Sequence, residues 1–290
     1  MCAIPTLNIR RRYRLASCGE TMIRNTAISL FVSVLAAFSL TGCSPVADEK
    51  QELDLGIQWV RSAAEYEALS LQAYRAASED LQKFIDDTSW SALPGQTDAA
   101  ELPVAIIADV DETIVSNVEF QVVLVQPFSN AVMNSWNDAN TSKPIPGASD
   151  FVRLARDAGV EVFFVTNRPC EKKEGSDDPC PQKAVTLQDI RETGVEVDSD
   201  HLMLANENLG WDREKLSRRE HIAKTHRVIM LFGDDLSDFI ACSREKLLHP
   251  CSKGATIASR LAATKEFSRY WGEGWYVFPN PMHGSWTSVK

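Results

Sequence analysis

Val104-Ala105-Ile106-Ile107-Ala108-Asp109-Val110-Asp111-Glu112-Thr113 is an apolar run that ends abruptly at two aspartates one residue apart. A short uninterrupted apolar run marks a strand buried on both faces, as in the middle of a parallel sheet. Ligands of such sheets bind beyond the carboxyl ends of the strands, which is where Asp109 and Asp111 fall. If the chain stays extended, side chains two residues apart point the same way. Two converging carboxylates repel one another unless a cation or a shared proton relieves them. A hard, oxygen-seeking ion such as Mg2+ suits that place. A bare D-x-D also occurs wherever a strand runs into a charged turn, so the remaining strand ends must decide.

Two of them carry chemistry. The run 160–165 ends in Thr166-Asn167-Arg168-Pro169, and a hydroxyl with exposed amides at a strand end can hold a phosphoryl oxygen. The run 227–232 ends in Gly233-Asp234-Asp235-Leu236-Ser237-Asp238, whose acids would face Asp109 and complete an oxygen cage. Between them, Asp212-Arg213-Glu214-Lys215-Leu216-Ser217-Arg218-Arg219 opens a basic helix. One cation is needed there to balance carboxylates and phosphate; Lys215 is the first candidate, with Arg218 and Lys224 as rivals.

D-x-D-x-T after an apolar strand resembles the first motif of the haloacid dehalogenase superfamily of phosphatases. The later elements resemble its class C, lipoprotein-type acid phosphatases: V-T-N-R at 165–168, and G-D-D-L-S-D-F at 233–239 for the family's G-D-N-x-x-D-F. The E-K-L-S-R-R stretch matches the family's lysine element loosely, at Lys215. The likeness spans roughly Gln51 to Trp286. It implies an α/β fold: a Rossmann-like three-layer sandwich with a central parallel sheet over 103–290, and a small helical N-terminal cap domain within 43–102.

The resemblance also implies roles. Asp109 becomes the nucleophile and Asp111 the general acid/base. Thr166 and Lys215 hold the phosphoryl oxygens, and Asp109, Asp111, Asp234 and Asp238 form the Mg2+ set. An acid optimum follows if Asp111 must start protonated. Trp136, in a W-x-D-A element, corresponds to a tryptophan that stacks on the substrate's ring, and Asn167 and Arg168 orient substrate or loop. The ending Pro279-Asn280-Pro281-Met282-His283-Gly284-Ser285-Trp286 resembles the family's P-N-P-M-x-G-x-W, whose variable position usually holds an aromatic residue facing that tryptophan. Here it is His283, and Asp235 replaces the usual Asn. The activity implied is hydrolysis of phosphomonoesters, with 5'-nucleotides as the expected substrates. The rivals are a phosphotransferase to small alcohols and a non-catalytic surface-binding lipoprotein.

The rest of the chain fits an exported protein. A basic block at Arg10-Arg11-Arg12 and a second candidate start at Met22 precede the apolar segment 26–40, too short to span a bilayer comfortably. It ends Leu40-Thr41-Gly42-Cys43, which looks like a bacterial lipoprotein cleavage box. Residues 1–42 then read as a signal segment, Cys43 as the lipidated N-terminus on a membrane, and the outer membrane or periplasmic face as the location. The close pairs Cys170…Cys180 and Cys242…Cys251 suggest two local disulfides in an oxidising compartment. The 290 residues carry a net charge of −10, which argues against a nucleic-acid polymer as partner. A homodimer is expected as a further partner state.

The periodicity predicts two amphipathic helices within 51–87, a helix over 147–159, another over 181–194, and an amphipathic helix over 255–271. Short strands are predicted at 201–205 and 275–278.

Overall fold

The computed structural model describes residues 49–124, 128–139 and 142–290. The apolar run of the first motif is β1 (Val104–Ala108). Strands β4 (Glu161–Pro169) and β6 (Arg227–Gly233) flank it in parallel, with β5 (Leu202–Ala205) and β7 (Trp275–Val277) outside them. Among the described residues this is a five-stranded, wholly parallel sheet with β1 at its centre. The short strands β2 (Val115–Ser116) and β3 (Lys143–Pro144) pair antiparallel away from it.

Alternation along β1 explains why the run had to be apolar throughout. Ile106 and Ala108 enter one hydrophobic cluster and Ala105 and Ile107 the other, on opposite faces of the sheet. Helices α1 (Glu49–Ser62) and α2 (Ala64–Asp86) open the described chain, followed by α3 (Val118–Val123), α4 (Asn130–Asn137), α5 (Ala148–Asp157) and α6 (Pro181–Glu192). Helices α7 (Leu216–Ala223) and α8 (Ile257–Glu266) complete the set. Residues from α2, α5 and α6 fill the first cluster, while Ile222 of α7 joins the second.

Helix α2 buries Tyr66, Ser70, Tyr74, Ala77, Leu81 and Phe84, a stripe of three- and four-residue spacings. Tyr74 does more than pack. Its ring lies 4.7 Å from Phe278 and 5.7 Å from Phe232, and its hydroxyl donates to the Thr113 carbonyl at 2.8 Å. The turn after β1 is therefore held from behind by a buried tyrosine. The described residues all belong to one compact unit.

Two predicted boundaries shift. The basic helix starts at Leu216, not at Asp212, because the Asp212 carboxylate accepts from the Glu214 N–H at 2.7 Å and closes a turn first. Helix α8 stops at Glu266 rather than reaching Trp271, and the chain then turns so that the Tyr270 ring stacks on Trp275 at 4.7 Å. The signal segment, Met22 and Cys43 lie outside the described residues. Among the described residues, no helix is long and apolar enough to cross a membrane.

Candidate active site

The ends of β1, β4 and β6 meet at one rim. Asp109 follows β1, and its N–H donates to the Phe232 carbonyl at 2.9 Å, tying the ends of β1 and β6 together. Asp234 follows β6, and Asp238 closes the short turn Leu236–Asp238. One carboxylate oxygen from each of Asp109, Asp234 and Asp238 lies within 4.8 Å of the others. Gly233 permits this approach: a Cβ there would strike the Asp238 carboxylate.

The Lys215 ammonium is buried between two of these acids. It donates to Asp109 Oδ1 and lies 2.6 Å from Asp238 Oδ1. Three carboxylates facing one ammonium leave negative charge in excess. Burial, together with Asp238, Asp109 and Glu112, pushes the Asp234 carboxyl well above its ordinary value. Burial likewise raises Asp109 to about 7, against the pull of Lys215. A hard divalent cation is what such an excess of converging oxygens fits. The rivals for the lysine role do other work. Arg218 is fully buried and braces the Thr166 carbonyl and, at 3.0 Å, Asn167 Oδ1. Lys224 lies beside a separate cavity behind α7.

Asp111, expected in the metal set, stands outside the three-oxygen cluster. Arg168 Nε donates to both its oxygens at 3.0 and 3.1 Å, and Arg168 Nη2 donates at 2.7 Å. Asn117 Nδ2 adds a bond of 2.7 Å. Burial would raise the Asp111 carboxyl, but Arg168 and Asn117 outweigh it and hold the group below its usual range. Arg168 also donates through Nη1 to buried Asp189 at 2.5 Å. The arginine expected to orient substrate or loop thus positions Asp111.

Thr166 is wholly buried; its hydroxyl accepts from the Arg168 N–H at 3.1 Å and sits 3.4 Å from Asp111 Oδ2. A cavity of about 610 Å³ opens over Asp109, Asp111, Lys215 and Asp234, with Asn167 and His283 in its wall. The expected stacking residue, Trp136, is not in that wall. Its ring packs on Phe120 at 5.8 Å, and the aromatic faces lining the cavity are Phe120 and Phe128. The Trp136 indole Nε1 is buried without a hydrogen-bond partner.

His283 stands at the rim, its Nε2 3.0 Å from Glu112 Oε2. Burial would lower its pKa, but the charges of Glu112, Asp111 and Asp235 win and raise it. Asp235, the departure from the family's Asn, does not join the metal-type cluster. Its carboxylate accepts from the Ser237 N–H at 2.9 Å and the Ser285 hydroxyl at 2.7 Å, clipping the C-terminal segment to the β6 loop. Burial opposes this, yet Arg244 and those donors hold Asp235 near a pKa of about 2.

Several residues of this site gave no sequence signal. Buried Glu112 has φ +57° and accepts the Asn117 N–H at 2.7 Å, while Asn280 Nδ2 donates to Asp234 Oδ2 at 2.7 Å. The P-N-P element contained Asn280, but only the fold shows that it faces Asp234. Both expected disulfides, Cys170–Cys180 and Cys242–Cys251, are formed.

A sequence model described as HAD superfamily, subfamily IIIB (Acid phosphatase), matches residues 45–286. Among solved structures, the class C acid phosphatase from Bacillus anthracis is similar with a TM-score of 0.64 at 25% identity, over 81% of this chain and 86% of that one. A class C acid phosphatase from Bacillus anthracis with tungstate bound gives a TM-score of 0.65 at 25% identity over the same shares.

Proposed function

The chain belongs to subfamily IIIB of the haloacid dehalogenase superfamily, the acid phosphatases, and is a phosphoric monoester hydrolase; from that premise we propose a Mg2+-dependent enzyme that acts through Asp109 on nucleotide-like phosphomonoesters. The observation that carries this reading is the buried ammonium of Lys215 set among the carboxylates of Asp109, Asp234 and Asp238. Asp109 and Asp234 would hold the ion, with Asp238 behind them. When bound, Mg2+ would supply positive charge that offsets these carboxylates and the negative charge of the phosphoryl oxygens.

An Asp109 carboxylate oxygen attacks phosphorus in line with the ester oxygen, so the P–O bond to the alcohol breaks as the aspartyl-phosphate bond forms. Asp111 gives its proton to the departing alkoxide. The resulting Asp111 carboxylate then takes a proton from water, whose oxygen attacks the phosphoryl group and frees Asp109 and phosphate. Arg168 keeps Asp111 aimed and favours its carboxylate form, which suits the second half of the cycle. Lys215 keeps the charge balanced as negative charge passes from ester to phosphate. The tungstate of the Bacillus anthracis structure, an oxyanion like phosphate, supports a phosphoryl site in this fold. Phe120 and Phe128 support a ring-bearing leaving group, since aromatic faces accept different bases.

Export and lipid anchoring through Cys43 complete the proposal. Two disulfides in the described structure support an oxidising compartment. Hydrolysis of p-nitrophenyl phosphate with and without EDTA tests the enzymatic reading: turnover should stop on chelation and return with Mg2+. Unchanged turnover in EDTA would remove the metal from the account. Mass spectrometry of the mature N-terminus tests the anchor, and an unmodified residue upstream of Cys43 would refute it.

A further inference from the structure

The cations around the cavity divide into two kinds. Lys215 and Arg168 are already engaged by carboxylates. Arg213 and Arg244 line the same cavity and, among the described residues, make no ion pair. Arg213 is exposed at the rim, where its Nη2 donates to Asn130 Oδ1 at 3.0 Å. Arg244 is half-buried; its Nη2 donates to the Ser237 hydroxyl at 2.6 Å, and its buried Nε has no hydrogen-bond partner.

Both are held in place. Arg244 lies inside the ring closed by Cys242–Cys251, and Arg213 lies on the turn fixed by Asp212. Both line the one cavity, where burial and then the like charge of Arg244 lower the Arg213 pKa, with Glu171 opposing. Asp235 lies near Arg244, but its oxygens accept from Ser237 and Ser285. Asp235 and Glu171 offset part of the charge of these two guanidinium groups, and an anion between them would offset more. Guanidinium donors match phosphate geometry. The cavity, at about 610 Å³, has room for far more than the one phosphoryl group at Asp109.

We propose that Arg213 and Arg244 form a second anion subsite in the catalytic cavity, selecting phosphomonoesters that carry a second phosphoryl group. This rests on the phosphatase reading above. The first phosphoryl group is cleaved at Asp109 while the second, held by the arginines, anchors the leaving group.

The test is steady-state kinetics of the purified protein on matched pairs. Fructose 1,6-bisphosphate is compared with fructose 6-phosphate, and adenosine 3',5'-bisphosphate with adenosine 5'-monophosphate, so that short and long phosphate spacings are both sampled. The bisphosphate of at least one pair should show a KM about tenfold or more below its partner, the scale of one or two charge-assisted hydrogen bonds. Arg213→Ala and Arg244→Ala should each erase most of that preference. Arg213 is exposed, so its variant remains decisive if Arg244→Ala does not fold. Lys224→Ala, a cation outside the cavity, should leave the preference intact. No preference in either pair, or one insensitive to Arg213→Ala, would overturn the subsite. So would an equal loss in Lys224→Ala. Absence of p-nitrophenyl phosphate hydrolysis in the unaltered protein would instead overturn the phosphatase reading beneath it.

Discussion

The guanidinium of Arg168 grips the carboxylate of Asp111 edge-on, with Nε reaching both oxygens and Nη2 a third bond, while its other amino group holds Asp189. One arginine thus ties the second motif to the first. The side chains of Arg168 and Asp189 are 2% and 1% exposed. Truncating one partner of such a buried pair leaves an uncompensated charge. Arg168→Ala should lower the unfolding free energy by about 3–5 kcal/mol, read from urea denaturation. A loss within error would mean that solvent reaches Asp189 freely.

The same contacts set the pH dependence. Asp111 is held below its ordinary pKa, chiefly by Arg168 against burial, with Asn117 assisting. Ester cleavage needs Asp111 protonated, so activity should fall as pH rises through that pKa. Removing a donor to the carboxylate raises the pKa. Asn117→Ala should therefore move the falling limb of the pH profile to higher pH. A limb that stays in place, or moves toward acid, would separate Asp111 from leaving-group protonation.

Lys215→Met should cost about a hundredfold to a thousandfold in kcat, as removal of a preorganised charge at a reacting centre does. Circular dichroism must show an intact fold for the comparison to count. A variant within tenfold of the unaltered enzyme would assign the charge-balancing role elsewhere.

Placement of the aromatic residues yields a contrast. Phe128 lines the cavity and Trp136 does not. Phe128→Ala should raise KM for nucleotide substrates by about tenfold, the scale of one stacking contact. Trp136→Ala should change that KM less. The reverse order would restore Trp136 to the ring-binding role that the family resemblance implies.

The sequence made the frame of this molecule legible for definite reasons. β1 is apolar on both faces because both clusters need it, and Gly233 precedes Asp234 because a side chain there would strike Asp238. Such constraints act over a few residues and show in the string. The division of labour at the rim did not show. Nothing local distinguishes Asp111 from a metal ligand, since Arg168, which takes it, lies 57 residues away. Trp136 carries the family's motif, yet it packs on Phe120 of a different helix, a contact the string does not show. Glu112, Asn280 and Arg244 gain their places only when the C-terminal segment and the disulfide loop fold over β6.

The central claim is that Asp109 takes the phosphoryl group. Rapid acid quenching during turnover of a phosphomonoester, followed by proteolysis and mass spectrometry, tests it directly. The account predicts one phosphoryl group on the peptide carrying Asp109, absent after EDTA and absent from Asp109→Asn, which should not turn over. A phosphoryl group on another residue, or steady turnover by a pure Asp109→Asn preparation, would contradict it.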